Sequence, residues 1–156
     1  MINICRIGDT EKILLTARIH KPFFLSKYNI NPVMTMQTIE NALDKLEKSK
    51  FRSSFRLNPK DIEYINEKGI EKIRIHAEDF VKKKLAPAYP QNDGKQTPTH
   101  GHPVFKAMHA CACCCRGCLG KWYKIPQGRE LTEIQQEKIV NLLMAWIDRQ
   151  LKKPQI

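Results

Sequence analysis

The sequence predicts a mainly α-helical fold, a compact helical domain that carries one long loop rich in proline and glycine. From residue 36 onward, apolar residues recur at helical spacing, and helix start and stop signals flank these stretches. Strand-like alternation is nearly absent from the same region. We expect residues 1–35 to form a poorly patterned N-terminal extension, with a short strand or hairpin, and residues 36–156 to form the helical domain.

The first predicted helices are marked by periodicity and by capping residues. The apolar positions of the first are Met36, Ile39, Leu43 and Leu46. Asn58 stands at a cap position before Pro59, and Gly69 supplies a stop, which predicts a second helix between them. The helix that follows has an apolar face of Ile70, Ile73, Ala77, Phe80 and Leu85.

The predicted long loop lies between Leu85 and Pro103, and loops of this length are often functional. Pro103 then opens a predicted helix that runs through the cysteine-rich stretch. Its apolar stripe is Val104, Met108, Cys111, Cys115, Cys118 and Trp122. Thr132 and Gln135 form a predicted capping box for the last helix. The apolar face of that helix is Ile139, Leu142, Leu143, Trp146, Ile147 and Leu151.

The charge balance is strongly basic, with 27 Lys and Arg against 16 Asp and Glu and a formal net charge of +11. Such a surplus favours polyanionic partners, nucleic acid above all, although a solvated basic surface that binds nothing specific is the alternative. No apolar run is long enough to span a membrane, and the N-terminus lacks a secretion-type leader, so we expect a cytoplasmic protein. The predicted phosphate contacts are Arg116, Lys121, Lys82, Lys83, Lys84 and Lys95.

Five of the six cysteines lie in the stretch HACACCCRGC at residues 109–118. Cys115 and Cys118 form a CxxC pair, a spacing that lets two sulfurs converge on one zinc or iron ion. The candidates for the remaining ligands are Cys114, His109 and His76. Two alternatives stay open. The thiols could pack in the core, since free cysteine is often buried, or they could carry redox chemistry.

A second constellation points to an enzyme. His76-Ala77-Glu78 precedes the CxxC pair, and zinc-dependent nucleobase deaminases use one His, two Cys and a proton-shuttling Glu. Such a fold requires strands, which this sequence does not predict here, and Cys114 replaces the proline expected before the first cysteine of the pair. We therefore leave open whether the protein is an enzyme and favour a binding role. Further candidate binding-site residues, which lie in the long loop, are Asp93, Lys95, His100 and His102.

Several long strings resemble domain-of-unknown-function family 4186, a group of small bacterial and phage proteins, over about residues 36–150. They include SKFRSSFRL, HAEDFVKKKLAPAYPQNDGKQTP and GHPVFKAMHACACCCRGCLGKWYKIPQGRELT. The resemblance implies no activity. The residues that the resemblance places on positions of the family motif are His76, His102, His109, Cys114, Cys115, Arg116, Cys118, Lys121 and Trp122. Cys111 and Cys113 stand where the family has small or hydroxyl residues, and Tyr123 stands where it has histidine.

Together these observations predict a small zinc-binding helical protein whose basic surface contacts nucleic acid. Trp122 stacks on a base if it is exposed, and belongs to the core if it is not. The alternatives are a metal-dependent hydrolase and a protein–protein adaptor of phage or host. Zinc is the expected metal, with iron or no metal as the alternatives. The sequence does not indicate an oligomeric state.

Overall fold

The computed structural model describes residues 36–153, so the predicted extension at 1–35 lies outside the described residues. The mainly α prediction is confirmed, since the described residues form seven α-helices and a π turn and contain no strand. The elements are α1 (Met36–Glu47), α2 (Lys50–Ser53), α3 (Pro59–Lys68), α4 (Ile70–Phe80), the π turn (Val81–Leu85), α5 (Pro103–Ala110), α6 (Arg116–Tyr123) and α7 (Glu133–Lys152). No helix within 36–153 has the length and apolar character that a membrane span requires.

The predicted caps at α3 are confirmed. The Asn58 side chain accepts from the Asp61 backbone N–H, and the Asp61 carboxylate accepts from the Asn58 N–H, with Pro59 in the first turn. Gly69 ends the helix with φ +80°, a left-handed conformation that only glycine adopts without strain. The chain therefore turns directly into α4, and the sequence encodes this corner locally.

A π turn extends α4 where the sequence predicts plain α-helix. The Ala86 N–H donates to the Val81 carbonyl five residues earlier, at 2.9 Å. This wider turn buries both Val81 and Leu85, whereas the helical face predicted from the sequence includes only Leu85. Ile70, placed on the same predicted face, is exposed.

The core forms around α7, which contacts α1, α4, the π turn and α5. Its predicted capping box is present, because Thr132 and Gln135 exchange side-chain and backbone hydrogen bonds. Five predicted core residues of α7 are buried, namely Ile139, Leu142, Leu143, Trp146 and Ile147. Burial of this apolar face, rather than helix propensity, provides most of the stability of such a helix.

The single helix predicted through the cysteine stretch is wrong. Helix α5 ends at Ala110, and Ala112 takes the left-handed conformation with φ +54°. The Cys113 N–H donates to the Met108 carbonyl at 2.8 Å, and the Ala112 N–H donates to the His109 carbonyl at 3.3 Å. These two bonds define a Schellman termination, with alanine where glycine is usual. The chain then restarts as α6, which gives the cysteines two different environments.

Candidate metal centre

Three sulfurs come together after the Schellman turn. The Sγ atoms of Cys114, Cys115 and Cys118 all lie within 4.8 Å of one another, and those of Cys114 and Cys118 are 3.6 Å apart. Cys115 is the N-cap residue of α6, and its Sγ accepts from the Cys118 N–H at 3.4 Å. The CxxC spacing converges because α6 starts at Arg116 and brings Cys118 back over its own first turn. We call these three residues the thiol group.

The guanidinium of Arg52 lies against the thiol group. Its Nη2 is 3.2 Å from the Sγ of Cys118, and its Nη1 is 3.8 Å from the Sγ of Cys114 and donates to the His109 carbonyl at 2.6 Å. Arg52 belongs to α2, is only 8% exposed and lies with its Cζ 6.0 Å from the centre of the half-buried Trp122 ring. Arg52 is not among the predicted site residues, because it lies 62 residues from Cys114 in the sequence.

The arrangement separates the proton affinities of the three thiols. The neighbouring Cys118 lowers the pKa of Cys114, and Arg52 lowers it further against the effect of burial. The pKa of Cys118 is raised, first by its contact with Cys114 and then by burial, and burial raises the pKa of Cys115. Cys114 is therefore the first of the three thiols to ionise, as a metal ligand must.

Cys111 and Cys113 belong to the core. Both are fully buried, and burial raises the pKa of each thiol. The Cys113 Sγ donates to the Cys111 carbonyl at 3.2 Å, and the same carbonyl accepts from the Tyr123 hydroxyl. The five clustered cysteines thus divide into two buried residues and the thiol group. Core packing therefore applies to Cys111 and Cys113, whereas the three sulfurs of the thiol group lie close enough together that they could hold a metal ion.

Neither predicted histidine ligand joins the thiol group, which contains no histidine or carboxylate among the described residues. The His109 ring stacks on Phe55 at 5.1 Å, and its Nε2 donates to the Thr97 carbonyl at 3.0 Å. His76 lies 3.0 Å from His102, from its Nδ1 to the Nε2 of the partner ring. The deaminase-like arrangement is therefore not formed, and Glu78 pairs with Arg74 on α4 at 3.2 Å.

The His76–His102 pair is a second polar cluster, enclosed by aromatic rings. The Val104 N–H donates to the His102 Nδ1 at 3.1 Å, so the Nε2 of His102 carries the proton and donates to His76. The rings of Tyr64, Phe80 and Phe105 lie within 5.7 Å of His102. Burial, followed by the charge of His76, lowers the pKa of His102 to about 4. His102 therefore caps α5 as a neutral ring.

Arg116, a predicted phosphate contact, is instead inside the protein and only 1% exposed. Its guanidinium donates to four backbone carbonyls, those of Leu85, Pro87, Pro126 and Arg129, at 2.7–3.3 Å. The first carbonyl ends the π turn, the second lies in the loop that follows it before α5, and the other two lie in the loop after α6. Arg116 therefore joins the two loops and has no free face for a phosphate.

The predicted lysine contacts differ in their surroundings. Lys84 is partly buried and donates to the Gln96 carbonyl at 3.3 Å, and Lys83 pairs with Asp79 at 2.7 Å. Lys82, Lys95 and Lys121 are exposed. Those three lysines are the predicted contacts that stay available to an anionic partner.

The long loop is tied to the cysteine segment by two of its polar residues. The Asp93 carboxylate accepts from the Arg116 N–H at 3.0 Å, in the first turn of α6. The buried Thr97 hydroxyl donates to the Cys114 carbonyl at 2.9 Å. Of the loop candidates, His100 is exposed and contacts Thr99. The loop thus helps to hold the backbone that carries the thiol group.

A family profile described as domain of unknown function (DUF4186) matches residues 40–148. The chain belongs to this family. The match runs from within α1 through most of α7 and includes the whole thiol group, Arg52 and the His76–His102 pair. No solved structure matches this DUF4186 chain.

Proposed function

We propose that this DUF4186 chain is a zinc-binding protein in which the thiolates of Cys114, Cys115 and Cys118 hold the ion. The observation that carries the proposal is the convergence of three sulfurs within 4.8 Å. In a tetrahedral site with zinc–sulfur bonds of about 2.3 Å, the sulfurs lie ~3.8 Å apart. The separation of 3.6 Å between Cys114 and Cys118 matches that spacing. Soft thiolates favour zinc over hard cations such as magnesium.

Arg52 completes the electrostatics of the proposed site. Three thiolates around a divalent ion leave one net negative charge, and a guanidinium 3.2 Å from Cys118 opposes that charge. Arg52 has no acceptor atom and does not itself ligate the ion. No fourth protein ligand joins the three sulfurs within residues 36–153, so among the described residues the remaining position, beside the guanidinium, falls to water or to a small ligand.

We assign the site a structural role. The three ligands bridge the turn after α5 and the first turn of α6, so a bound ion cross-links a segment that has little regular hydrogen bonding of its own. A hydrolase needs a general base beside the metal, and the sequence candidate Glu78 pairs with Arg74 instead. This pairing favours the structural role over the hydrolytic one.

Metal analysis of the full chain, purified without added metal, tests the proposal. We expect about one zinc ion per chain in the wild type and a near-complete loss in Cys115→Ser and Cys118→Ser, since two sulfurs hold zinc far more weakly than three. Cys111→Ser is the matched control, because it removes a thiol of the same run outside the thiol group. A wild type that binds no zinc when zinc is supplied, or equal loss in Cys111→Ser, contradicts the proposal.

A specific observation favours a second function, contact with single-stranded nucleic acid. The Tyr89 side chain is 85% exposed, and a side chain at Gly128 would meet its hydroxyl at 3.4 Å, so Tyr89 lies beside the loop that carries the exposed Arg129. An exposed aromatic ring next to a cation is the usual element of a base-stacking surface. Arg116 holds both loops in place, and we propose that they bind single strands.

Fluorescence anisotropy with a labelled single-stranded oligonucleotide tests this second proposal. We expect Tyr89→Ala to weaken binding about tenfold, the loss of one stacked base, and Arg129→Gln to reduce the salt dependence. Lys60→Gln removes the same charge from an exposed position on α3 and is the control. Equal effects of Arg129→Gln and Lys60→Gln, with no effect of Tyr89→Ala, would indicate charge alone and refute a defined surface.

A further inference from the structure

A cavity of about 240 Å³ lies between α1, α2 and α7, and Arg52 forms part of its lining. Its apolar wall includes Leu43, Leu46 and Trp146. Its polar lining includes Arg52, Ser53, Arg56, Glu47, Gln150 and Lys153. The cavity is large enough for a small organic molecule and has an apolar side and a cationic side, as ligand sites commonly do.

Gln150 supplies the observation that points to a ligand. It is only 7% exposed, it lines the cavity, and its amide makes no hydrogen bond within residues 36–153. Buried side-chain polar groups are nearly always hydrogen-bonded, whereas the Gln150 amide is not among the fully enclosed unpartnered atoms and reaches the cavity instead. A buried amide that faces a cavity therefore has its hydrogen-bonding capacity directed at whatever enters that cavity.

The charges around the cavity favour an anion. Arg52, Arg56 and Lys153 line it together with a single carboxylate, that of Glu47. Lys153 already pairs with Glu47 at 2.8 Å, and Arg149 lies 3.7 Å from the same carboxylate. Glu47 is thus neutralised by its own partners. Arg56 is exposed and makes no side-chain contact within the described residues, so its guanidinium is free to bind.

We propose that this cavity binds the phosphate group of a small phosphate ester, with Arg56 and Gln150 as the contacting side chains. A guanidinium donates two parallel hydrogen bonds to a phosphate, and the Gln150 amide adds a further donor at the buried end. With Lys153 paired to Glu47 and Arg52 bonded to the thiol group, Arg56 is the cation left for the ligand, and it attracts a phosphate dianion more strongly than a monocarboxylate. Leu43, Leu46 and Trp146 then face the organic part of the ester. The site uses none of the thiol group and does not rest on the zinc proposal.

This inference is tested by titrating the full-length, zinc-supplied protein with inorganic phosphate at constant ionic strength. Amide chemical shifts measured by NMR report the binding. We expect saturable shifts of the Gln150 side-chain amide and of residues 52–56 with a dissociation constant of about 1 mM or lower. Arg56→Gln should raise that constant about tenfold. Because Arg56 is exposed and carries none of the core, this variant is expected to fold.

Two comparisons decide the outcome. Lys72→Gln removes the same charge from an exposed position on α4, outside the cavity lining, and should leave phosphate binding within about twofold of wild type. Acetate should bind at least about tenfold more weakly than phosphate. Absence of saturable shifts up to 20 mM phosphate (on the order of twenty times the expected constant), equal losses in Arg56→Gln and Lys72→Gln, or equal binding of acetate would each overturn the proposal.

Discussion

Arg52 and Arg116 are both buried arginines, yet they do opposite things. Arg116 directs its guanidinium to four backbone carbonyls, one at the end of the π turn and three in loops. Arg52 directs its guanidinium to two sulfurs and one carbonyl. The first satisfies neutral dipoles whose positions the fold has already set. The second faces groups that change charge with pH and with metal.

This difference shows what a buried cation does in each setting. Beside carbonyls, a guanidinium has no counter-charge and contributes through hydrogen bonds that nothing else replaces. Beside thiols, the same group stabilises the ionised form of its neighbours, so its effect appears in binding more than in folding. Substitution of Arg116 should therefore change mainly the stability of the fold, and substitution of Arg52 mainly the binding of metal.

Replacing Arg116 with methionine should produce the largest effect. Four carbonyls lose their donors, and we expect the free energy of unfolding to fall by about 4 kcal/mol in urea denaturation. Lys121→Met, an exposed position on the same helix, should change it by less than about 0.5 kcal/mol. If Arg116→Met is as stable as Lys121→Met, the carbonyl contacts do not hold the two loops.

Replacing Arg52 with methionine should act mainly on zinc affinity. Without the guanidinium the negative charge of the thiolates is unopposed, and we expect about a tenfold loss of affinity, equivalent to about 1.4 kcal/mol, in chelator competition. Arg52→Lys keeps the charge but not the forked geometry of the guanidinium. Its zinc affinity should lie between those of the wild type and Arg52→Met. Identical zinc affinities in wild type and Arg52→Met would remove Arg52 from the site.

The smallest effect concerns His102, a half-buried titratable group that has no counter-charge in direct contact. Its pKa is about 4 in the folded chain against 6.5 ordinarily, so between these pH values the unfolded state takes up a proton that the folded state does not. Stability should therefore decrease as pH falls from 6.5 to 4 and show no further contribution from His102 below that. After allowance for partial exposure, we expect a loss of about 1 kcal/mol.

His102→Asn isolates this contribution, because asparagine also caps a helix but does not titrate. Urea denaturation at several pH values should show a weaker pH dependence in His102→Asn than in wild type. The exposed His100→Asn should match wild type. An unchanged pH dependence in His102→Asn would assign the acid sensitivity to other groups.

Local signals made the helices predictable and the site only partly so. The caps at Asn58 and Thr132 and the apolar face of α7 depend on neighbours in sequence, which pattern analysis detects. The CxxC pair also converges locally, and the prediction that Cys115 and Cys118 lie together with Cys114 agrees with the thiol group. These features need no knowledge of tertiary structure.

The remaining features depend on contacts that spacing does not encode. The stripe from Val104 to Trp122 has helical periodicity, but Ala112 adopts a left-handed turn, which alanine does not signal as glycine does. Because Arg116 follows a cysteine in a basic chain, the sequence predicts a surface contact. In the structure, carbonyls from distant parts of the chain surround its guanidinium. Arg52 and the partner of His76 come from other helices, and no local pattern identifies them.

The hydrogen bonds that Asp93 and Thr97 make to the cysteine segment have a consequence for hydrogen exchange. Exposure of the Arg116 amide requires that Asp93 release it, and separation of Thr97 from Cys114 requires the loop to move away. The loop and the start of α6 therefore open as one cooperative unit. An ion held by the three sulfurs would slow exchange at amides of the loop that it never touches.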